Sequence, residues 1–394
     1  MPYRINTESI ETYLLSVLDG SRRGRWASVL RGLLHFLSWV FAALVQFRIL
    51  LYRHRILRGN TLGCQVISVG NLTVGGTGKT PVVEVFARLL KEQGRKVAIL
   101  SRGYKSRSIS VWQKIWLRIT NRSIEVPPRV VSDGNQLLLD SHTAGDEPYM
   151  LASNLPDVAV VVDKDRVKAG KYAIRELGCD TLILDDGFQY LKLGNRLDIA
   201  LVDRTNPFGG GHLLPRGLLR EPIKNIKRAG FIFITKCTEA GDPELKQQLR
   251  ALNPTAEISE CRHRAKYLQS LFSDERFALE KLKGLKVAAL SAIAVPESFE
   301  LALESFGAEL VYCQRFADHH RFTQQEIIDT LNKAEAAGAE ALLTTEKDAV
   351  RFPYMERRDL PLFYMRVEIE MLSGEEAFMN WVNRICFKQA KRSA

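Results

Sequence analysis

Gly70-Asn71-Leu72-Thr73-Val74-Gly75-Gly76-Thr77-Gly78-Lys79-Thr80-Pro81 is the stretch on which the reading of this sequence turns. It follows a short apolar run, Cys64–Val69, and precedes a helical pattern with Val82, Val85, Phe86, Leu89 and Leu90 on one face. A glycine-rich turn between a strand and a helix is the setting of a phosphate-binding loop. Glycines let backbone N–H groups face phosphate oxygens, and the helix N-terminus adds partial positive charge. Read this way, Thr73, Val74, Gly75, Gly76, Thr77, Gly78, Lys79 and Thr80 bind a nucleotide, with Lys79 reaching the β- and γ-phosphates and the Thr80 hydroxyl on magnesium. Thr73 stands where the strict pattern has its first glycine. The plainer alternative is a glycine-rich turn that binds nothing.

Outward from this loop, short apolar runs at Val97–Leu100, Val158–Val162, Thr181–Leu184, Ile199–Val202 and Phe231–Ile234 alternate with helical patterns. Continuous apolar strands between amphipathic helices predict a doubly wound, mostly parallel α/β sheet of the P-loop NTPase kind. The rhythm lapses between Lys105 and Val131, a basic stretch with Trp112 and Trp116 that reads as an excursion at the sheet's edge. After Thr238 a second set follows: strand Val287–Ala292, helix Glu297–Phe306, strand Leu310–Gln314, helix Gln324–Ala337, strand Ala341–Thr344, strand-like Pro361–Ile369 and a helix from Glu375. The expected domains are a basic N-terminal helical region (1–60), a P-loop core (61–238) and a smaller α/β domain (239–394) that closes a cleft.

A P-loop needs an acid at the end of a neighbouring strand to hold the metal's water shell. Asp185 and Asp186 end the apolar run Thr181–Leu184, where a carboxylate is costly without a role. Thr235-Lys236-Cys237-Thr238 lacks the acid that reads guanine, which disfavours a GTPase. Asp146, in Gly145-Asp146-Glu147-Pro148, is by its residues alone either a helix N-cap or a catalytic base. Asp318-His319-His320 is either a solvated loop or part of a site, and a metal there would need a further ligand.

The 394 residues carry 56 Lys and Arg against 45 Asp and Glu, a net charge of +11. This balance favours anionic partners, whether phosphate, nucleic acid or lipid. The 46% hydrophobic content excludes a disordered or collagen-like chain. Six scattered cysteines without a Cys-x-x-Cys pair argue against a zinc site or disulfide framework and for a reducing compartment. Residues 1–60 hold nine arginines, no lysine and three acids. Within them Leu33–Tyr52 is apolar apart from His35, Ser38, Gln46 and Arg48, long enough as a helix to cross the ~30 Å bilayer core. Arg31, His35, Ser38, Ala42, Gln46 and Arg53 fall on one stripe beside a broad apolar face with Leu34, Leu37, Phe41, Leu44, Val45 and Leu51. That pattern predicts a helix lying in a membrane interface, with a buried packing helix as the alternative.

Eight motifs, in order, closely resemble the tetraacyldisaccharide 4'-kinase (lipid A 4'-kinase) family. They are Val69 to Thr80; Ser101-Arg102-Gly103-Tyr104; Gly145 to Pro148; Asp163 to Arg166; Leu184 to Gln189; Leu214-Pro215-x-Gly217 with Leu219-Arg220-Glu221-Pro222; Phe316-x-Asp318-His319; and Thr344-Thr345-x-Lys347-Asp348. The resemblance runs from about residue 60 to the C-terminus, and it accommodates Thr73, since that family's loop carries Ser or Thr there. It implies ATP and Mg2+ and transfer of the γ-phosphate to the 4'-hydroxyl of an acylated disaccharide 1-phosphate. The product would be lipid IVA, made at the cytoplasmic face of the inner membrane on its anionic surface, and no nucleic-acid partner is implied. It makes Asp146 the base that accepts the hydroxyl proton and His319 the residue that orients it. Asp185, Asp186 and Glu221 become the magnesium-side acids, and Arg166 a ligand for developing charge or a substrate phosphate. The competing readings are a P-loop kinase or ligase acting on a soluble metabolite, and a membrane-bound nucleotide switch.

Overall fold

The computed structural model describes residues 16–18, 21–103, 127–355 and 359–387. The first half of the chain forms α1 (Arg25–Arg53), β1 (Gln65–Asn71), α2 (Lys79–Glu92), β2 (Val97–Ser101), β3 (Arg129–Asp133), α3 (Ser141–Ala144), α4 (Asp146–Asn154), β4 (Ala159–Val162), α5 (Arg166–Arg175) and β5 (Thr181–Asp185). Next come β6 (Leu197–Asp203), β7 (Phe231–Thr235), α6 (Pro243–Leu252), β8 (Glu257–Ser270), β9 (Arg276–Phe277) and β10 (Lys286–Ser291). The chain continues with α7 (Pro296–Ser305), β11 (Glu309–Arg315), α8 (Gln324–Ala336), β12 (Ala341–Thr345), α9 (Glu346–Ala349), β13 (Leu362–Ser373) and α10 (Glu375–Phe387). The strands expected from apolar runs are all present. Tyr104 and most of the 105–131 excursion lie outside the described residues, and its last three residues, Arg129, Val130 and Val131, belong to β3.

The chain divides into two compact units, each drawing segments from either side of residue 238. The first comprises residues 1–79, 186–261 and 371–385. In it β1, β6, β7 and the start of β8 pair in parallel, with Ile67 opposite Leu197, Ile199 opposite Phe231 and Phe231 opposite Glu257. Strands buried on both faces read as unbroken apolar runs, which is why β1, β6 and β7 are legible. One face packs Ala200, Val202, Ile232 and Ile234 against Leu245 and Leu249 of α6. On β7, Phe231 and Phe233 meet Phe378 and Trp381 of α10 with ring centroids 5.2–5.5 Å apart.

Helix α1 belongs to this unit, and its polar seam faces the protein. Ser38 is buried; its hydroxyl donates to Leu213 O at 2.8 Å and accepts from Arg216 N–H at 3.0 Å. Gln46 donates to Asn225 Oδ1, Arg48 donates to Gln189 O, and the His35 ring meets His212 edge-on. A buried hydroxyl needs such partners, so the seam fixes the helix's rotation. Leu34, Phe41, Val45 and Leu51, expected on the apolar face, are half-buried beside the seam. The open apolar face keeps the expected Leu37 and Leu44 and adds Trp26, Val29, Leu33, Phe36, Trp39, Val40, Phe47 and Leu50, with Trp39 70% and Leu44 62% exposed.

The second unit comprises residues 80–185, 262–370 and 386–394. In it β2 lies between β4 and β5, all parallel, and β3 runs antiparallel on β4. Separately, β10 lies between β11 and β12, and β13 extends β12, again all parallel. Alternation within these strands builds two cores. Ala288, Leu290, Leu342 and Leu362 pack on Ile327 and Leu331 of α8, while Val287, Ala289, Leu343 and Phe363 pack on Phe299 and Leu303 of α7.

Candidate active site

In the first unit, β1 delivers the chain into the glycine-rich loop past a tight crossing. A Cβ on Gly70 would lie 2.8 Å from the backbone nitrogen of Phe188, so only glycine fits there. Thr73 and Val74 already have partners within the unit. Asn71 donates to Thr73 Oγ1 at 3.2 Å, Thr73 bridges to Leu219, and the Val74 N–H donates to Leu218 O at 2.7 Å. The open part of the loop therefore begins at Gly75. Gly75 and Gly78 take φ of 120° and 78°, values that L side chains resist, and both Gly75 and Gly76 face open space. Thr77 is buried, its carbonyl accepts from Thr235 Oγ1 at 3.0 Å, and its own hydroxyl has no hydrogen-bond partner among the described residues.

Lys79 is tethered rather than floating. Its ammonium lies 3.4 Å from Asn71 Oδ1 and 3.7 Å from Asp186 Oδ1. Asp186 sits at φ 50°, and both its oxygens accept from Arg220 Nη1 at 2.8 Å. Gln189 links this pair to the strand, donating to Asn71 O at 2.9 Å and to Glu221 Oε1 at 2.8 Å. Glu221, expected among the magnesium-side acids, sits in this same network. It is buried, and Gln189, Asn225 and both terminal nitrogens of Arg228 fill its two oxygens at 2.8–3.0 Å. In this arrangement Glu221 buttresses Gln189 and Arg228.

In the second unit, Thr80 stands in the first turn of α2 and Asp185 closes β5. Asp185 is buried, and its Oδ2 accepts from Ser101 Oγ at 3.3 Å. Arg166, expected to meet developing charge or a substrate phosphate, opens α5; it is buried at 4% exposure and donates to the Asp185 carbonyl at 3.3 Å.

The same unit brings Asp146 and His319 together. Gly145 caps α4 and Asp146 is its first residue, without a capping bond from its side chain, so the N-cap alternative is set aside. Asp146 Oδ1 accepts from Arg321 Nη2 at 2.8 Å and Oδ2 from Arg351 Nε at 2.9 Å. His319 Nδ1 lies 3.5 Å from Asp146 Oδ2 and 3.1 Å from Arg351 Nη2. On its other side, Lys347 Nζ lies 3.3 Å from Nε2 and 3.7 Å from Asp318 Oδ1. Arg351 also donates to Asp348 Oδ1, and Asp348 is itself fully buried, which pushes its carboxyl above the usual range against the pull of Thr345, Ala292 and Arg351. The neighbouring His320 turns elsewhere: it bonds Glu326 in the cap of α8 and stacks on Phe316. No three metal-ligating His, Cys, Asp or Glu side chains cluster among the described residues. The arrangement suits proton acceptance by a carboxylate held from both ends.

Arg351 and Arg220 were not singled out for chemistry by the sequence. Their only local signals are an aspartate three residues before the first and membership of the Leu219–Pro222 motif for the second.

The sequence profile of the family described as Tetraacyldisaccharide-1-P 4'-kinase (LpxK) matches residues 30–386. It begins within α1, so most of that helix belongs to the family's pattern, thirty residues earlier than the motifs indicated. A tetraacyldisaccharide 4'-kinase of Anaeromyxobacter dehalogenans (strain 2CP-C) is 41% identical over 341 residues, 85% of each chain. One of Halothermothrix orenii is 35% identical over 357 residues, 88% of this chain and 89% of that one. The crystal structure of LpxK from Aquifex aeolicus in complex with ATP superposes with a TM-score of 0.69 at 30% identity, covering 91% of this chain and all of the other.

Proposed function

Since the chain belongs to the tetraacyldisaccharide-1-P 4'-kinase family, and is thus a lipid A 4'-kinase, we propose that residues 75–80 hold the ATP phosphates and that Asp146 takes the proton of the acceptor's 4'-hydroxyl. Phosphoryl transfer asks of a protein mainly alignment and charge stabilisation. Lys79 supplies charge at the phosphates, and Arg220 with Asn71 keeps Lys79 and Asp186 in register. The observation that carries the reading is the Asp146 carboxylate, fixed at a helix start by two arginines beside His319. That is more apparatus than a structural aspartate requires.

Mg2+ fits the residues present. Asp185 is a buried carboxylate at a strand end and Thr80 a hydroxyl at a helix start, both oxygen donors of the kind this ion prefers. When bound, the ion neutralises charge on phosphate oxygens. Asp186, already shared between Arg220 and Lys79, keeps Lys79 placed rather than serving as a primary ligand.

The acceptor is acylated, and α1 offers the means to meet it. Its exposed face fits membrane association, and we propose a peripheral placement on the cytoplasmic side of the inner membrane. Ser38, Gln46 and Arg48 are bonded to the 213–225 region and Gln189. A helix spanning the bilayer would carry those polar loops into hydrocarbon, whereas one lying in the interface would not.

The test is ADP release with ATP and tetraacyldisaccharide 1-phosphate, with and without the acceptor. Asp146→Asn should lose ~10²–10⁴-fold in transfer while still binding ATP. Wild-type transfer by a folded Asp146→Asn protein would remove the base assignment. ADP release that ignores the acceptor would favour the nucleotide-switch reading.

A further inference from the structure

We propose that Arg351 is the positioning residue of the acceptor-side centre: one guanidinium fixes both Asp146 and His319, and Asp348 fixes the guanidinium. The inference rests on the reading of Asp146 as the proton acceptor. Arg351 is completely buried at its side chain. Its Nε donates to Asp146 Oδ2 at 2.9 Å, Nη1 to Asp348 Oδ1 at 2.9 Å and to Ala292 O at 3.2 Å, and Nη2 to His319 Nδ1 at 3.1 Å. These donors share a rigid plane, so the partners move together or not at all. Asp348 anchors the plane from behind. Its Oδ2 accepts from Ala292 N–H at 3.0 Å and from Thr345 Oγ1 at 2.6 Å.

The direct approach of His319 Nδ1 to Asp146, 3.5 Å, is longer than both bonds through Arg351. The guanidinium is therefore the link between the two. A neutral imidazole has one acceptor nitrogen, and arginine can only donate. Of the two cations beside His319, Arg351 is nearer and fully buried, while Lys347 is partly exposed and has Asp318 as another partner. His319 accordingly accepts at Nδ1 and carries its proton on Nε2.

The two arginines on Asp146 are unequal. Arg321 holds Oδ1 from a side chain 41% exposed, whereas Arg351 holds Oδ2 with no exposure. Oδ1 is thus the oxygen that exchanges a surface arginine for the acceptor hydroxyl, and Oδ2 stays fixed.

Arg351→Lys keeps the charge but has one ammonium, which cannot bridge Asp146, His319 and Asp348. Its kcat should fall ~10²-fold with the KM for ATP unchanged, as expected for a misplaced reacting group. In an Asp146→Asn background, followed with radiolabelled ATP, the same change should cost less than about threefold, because groups sharing one task are non-additive. Equal fold-losses in both backgrounds would overturn the inference, since a residue that merely supports the fold acts whether or not Asp146 is present. Wild-type turnover by Asp146→Asn alone would overturn the base assignment, and this inference with it. Should Arg351→Lys fail to fold, ¹⁵N-histidine NMR of the wild-type protein decides. With His319 identified by comparison with His319→Gln, a neutral ring protonated at Nε2 is expected. A proton on Nδ1, in a neutral or doubly protonated ring, would refute the proposal.

Discussion

Replacing Arg366 with methionine should unsettle the second unit more than any surface change, with a pH dependence of definite sign. The Arg366 side chain is only 4% exposed and is ion-paired to Glu84 and to Glu346, with Glu368 at 3.8 Å. Glu84 rides on α2, the helix that Thr80 enters, and Glu346 begins α9, which presents Asp348. Without the arginine, Glu84 keeps Arg88 at 2.6 Å and Glu346 keeps the Asn154 amide at 2.6 Å, neither of which replaces a buried cation. Removing one partner of a buried ionic cluster costs about 3–5 kcal/mol. Burial already pushes the Glu84 carboxyl above its usual range; Arg366 is the strongest opposing influence and the charge of Glu346 adds to the rise. In Arg366→Met it rises further. A carboxyl whose pKa is higher folded than unfolded makes stability fall as pH rises through the folded value. The variant's deficit against wild type should therefore be largest near pH 7.5 and shrink towards pH 5. Urea unfolding at both pH values measures it, and Glu84→Gln/Glu346→Gln/Arg366→Met should regain most of the loss. A deficit below about 1 kcal/mol at pH 7.5, the level of a solvated surface pair, would refute the argument. So would a deficit that grows on acidification.

Lys79→Ala should fold normally and lose ~10²-fold or more in transfer, as expected on removing a preorganised charge; wild-type turnover would end the P-loop assignment. Trp39→Asp with Leu44→Asp, both on the open face of α1, should leave the fold intact. Sedimentation with anionic vesicles should weaken by ~10²-fold or more, at roughly 1.5–3 kcal/mol per apolar side chain withdrawn, and unchanged binding would show that another surface meets the lipid. The buried thiols of Cys237 and Cys261 are pushed up to about 11 and about 12, chiefly by burial. Both should resist maleimide at neutral pH until the protein unfolds, as mass spectrometry would show.

Much of the fold is legible because its parallel strands are buried on both faces, and an unbroken apolar run such as Phe231–Ile234 has few other uses. The strand β8 shows where that signal ends. Its polar residues are satisfied locally: Glu260 accepts from the Asp242 N–H, Lys246 and Ser373, Ser259 bonds Gly374 O, and Arg262 pairs with Glu370. A strand whose side chains form ion pairs and hydrogen bonds need not look apolar, and periodicity passes over it. For α1 the stripe was legible but its direction was not. A polar stripe has the same spacing whether it meets water or the acceptors of a folded body, and only Leu213, Arg216 and Asn225 decide between them.

The candidate site divides along the same line. The glycine loop is a local device, its parts within a dozen residues, so its spacing announces it. Glu221 and Arg166 lie in recognisable motifs, yet their side chains are taken up by Arg228, Gln189 and Asn225 in one case and by the Asp185 carbonyl in the other. A motif says that a residue is needed without saying whether it meets the substrate or holds what does. Arg351 is the converse case. It lies 205 positions from Asp146 and joins it to His319 through a plane that no spacing encodes. Its sequence-local partner among the described residues is Asp348, one helical turn back. A fully buried arginine is costly unless its charge is paired and most of its donors find acceptors. In this unit that requirement brings the carboxylate, the imidazole and the strand end at Ala292 to one point, and so the condition that stabilises the cation also sets the geometry the acceptor hydroxyl would meet.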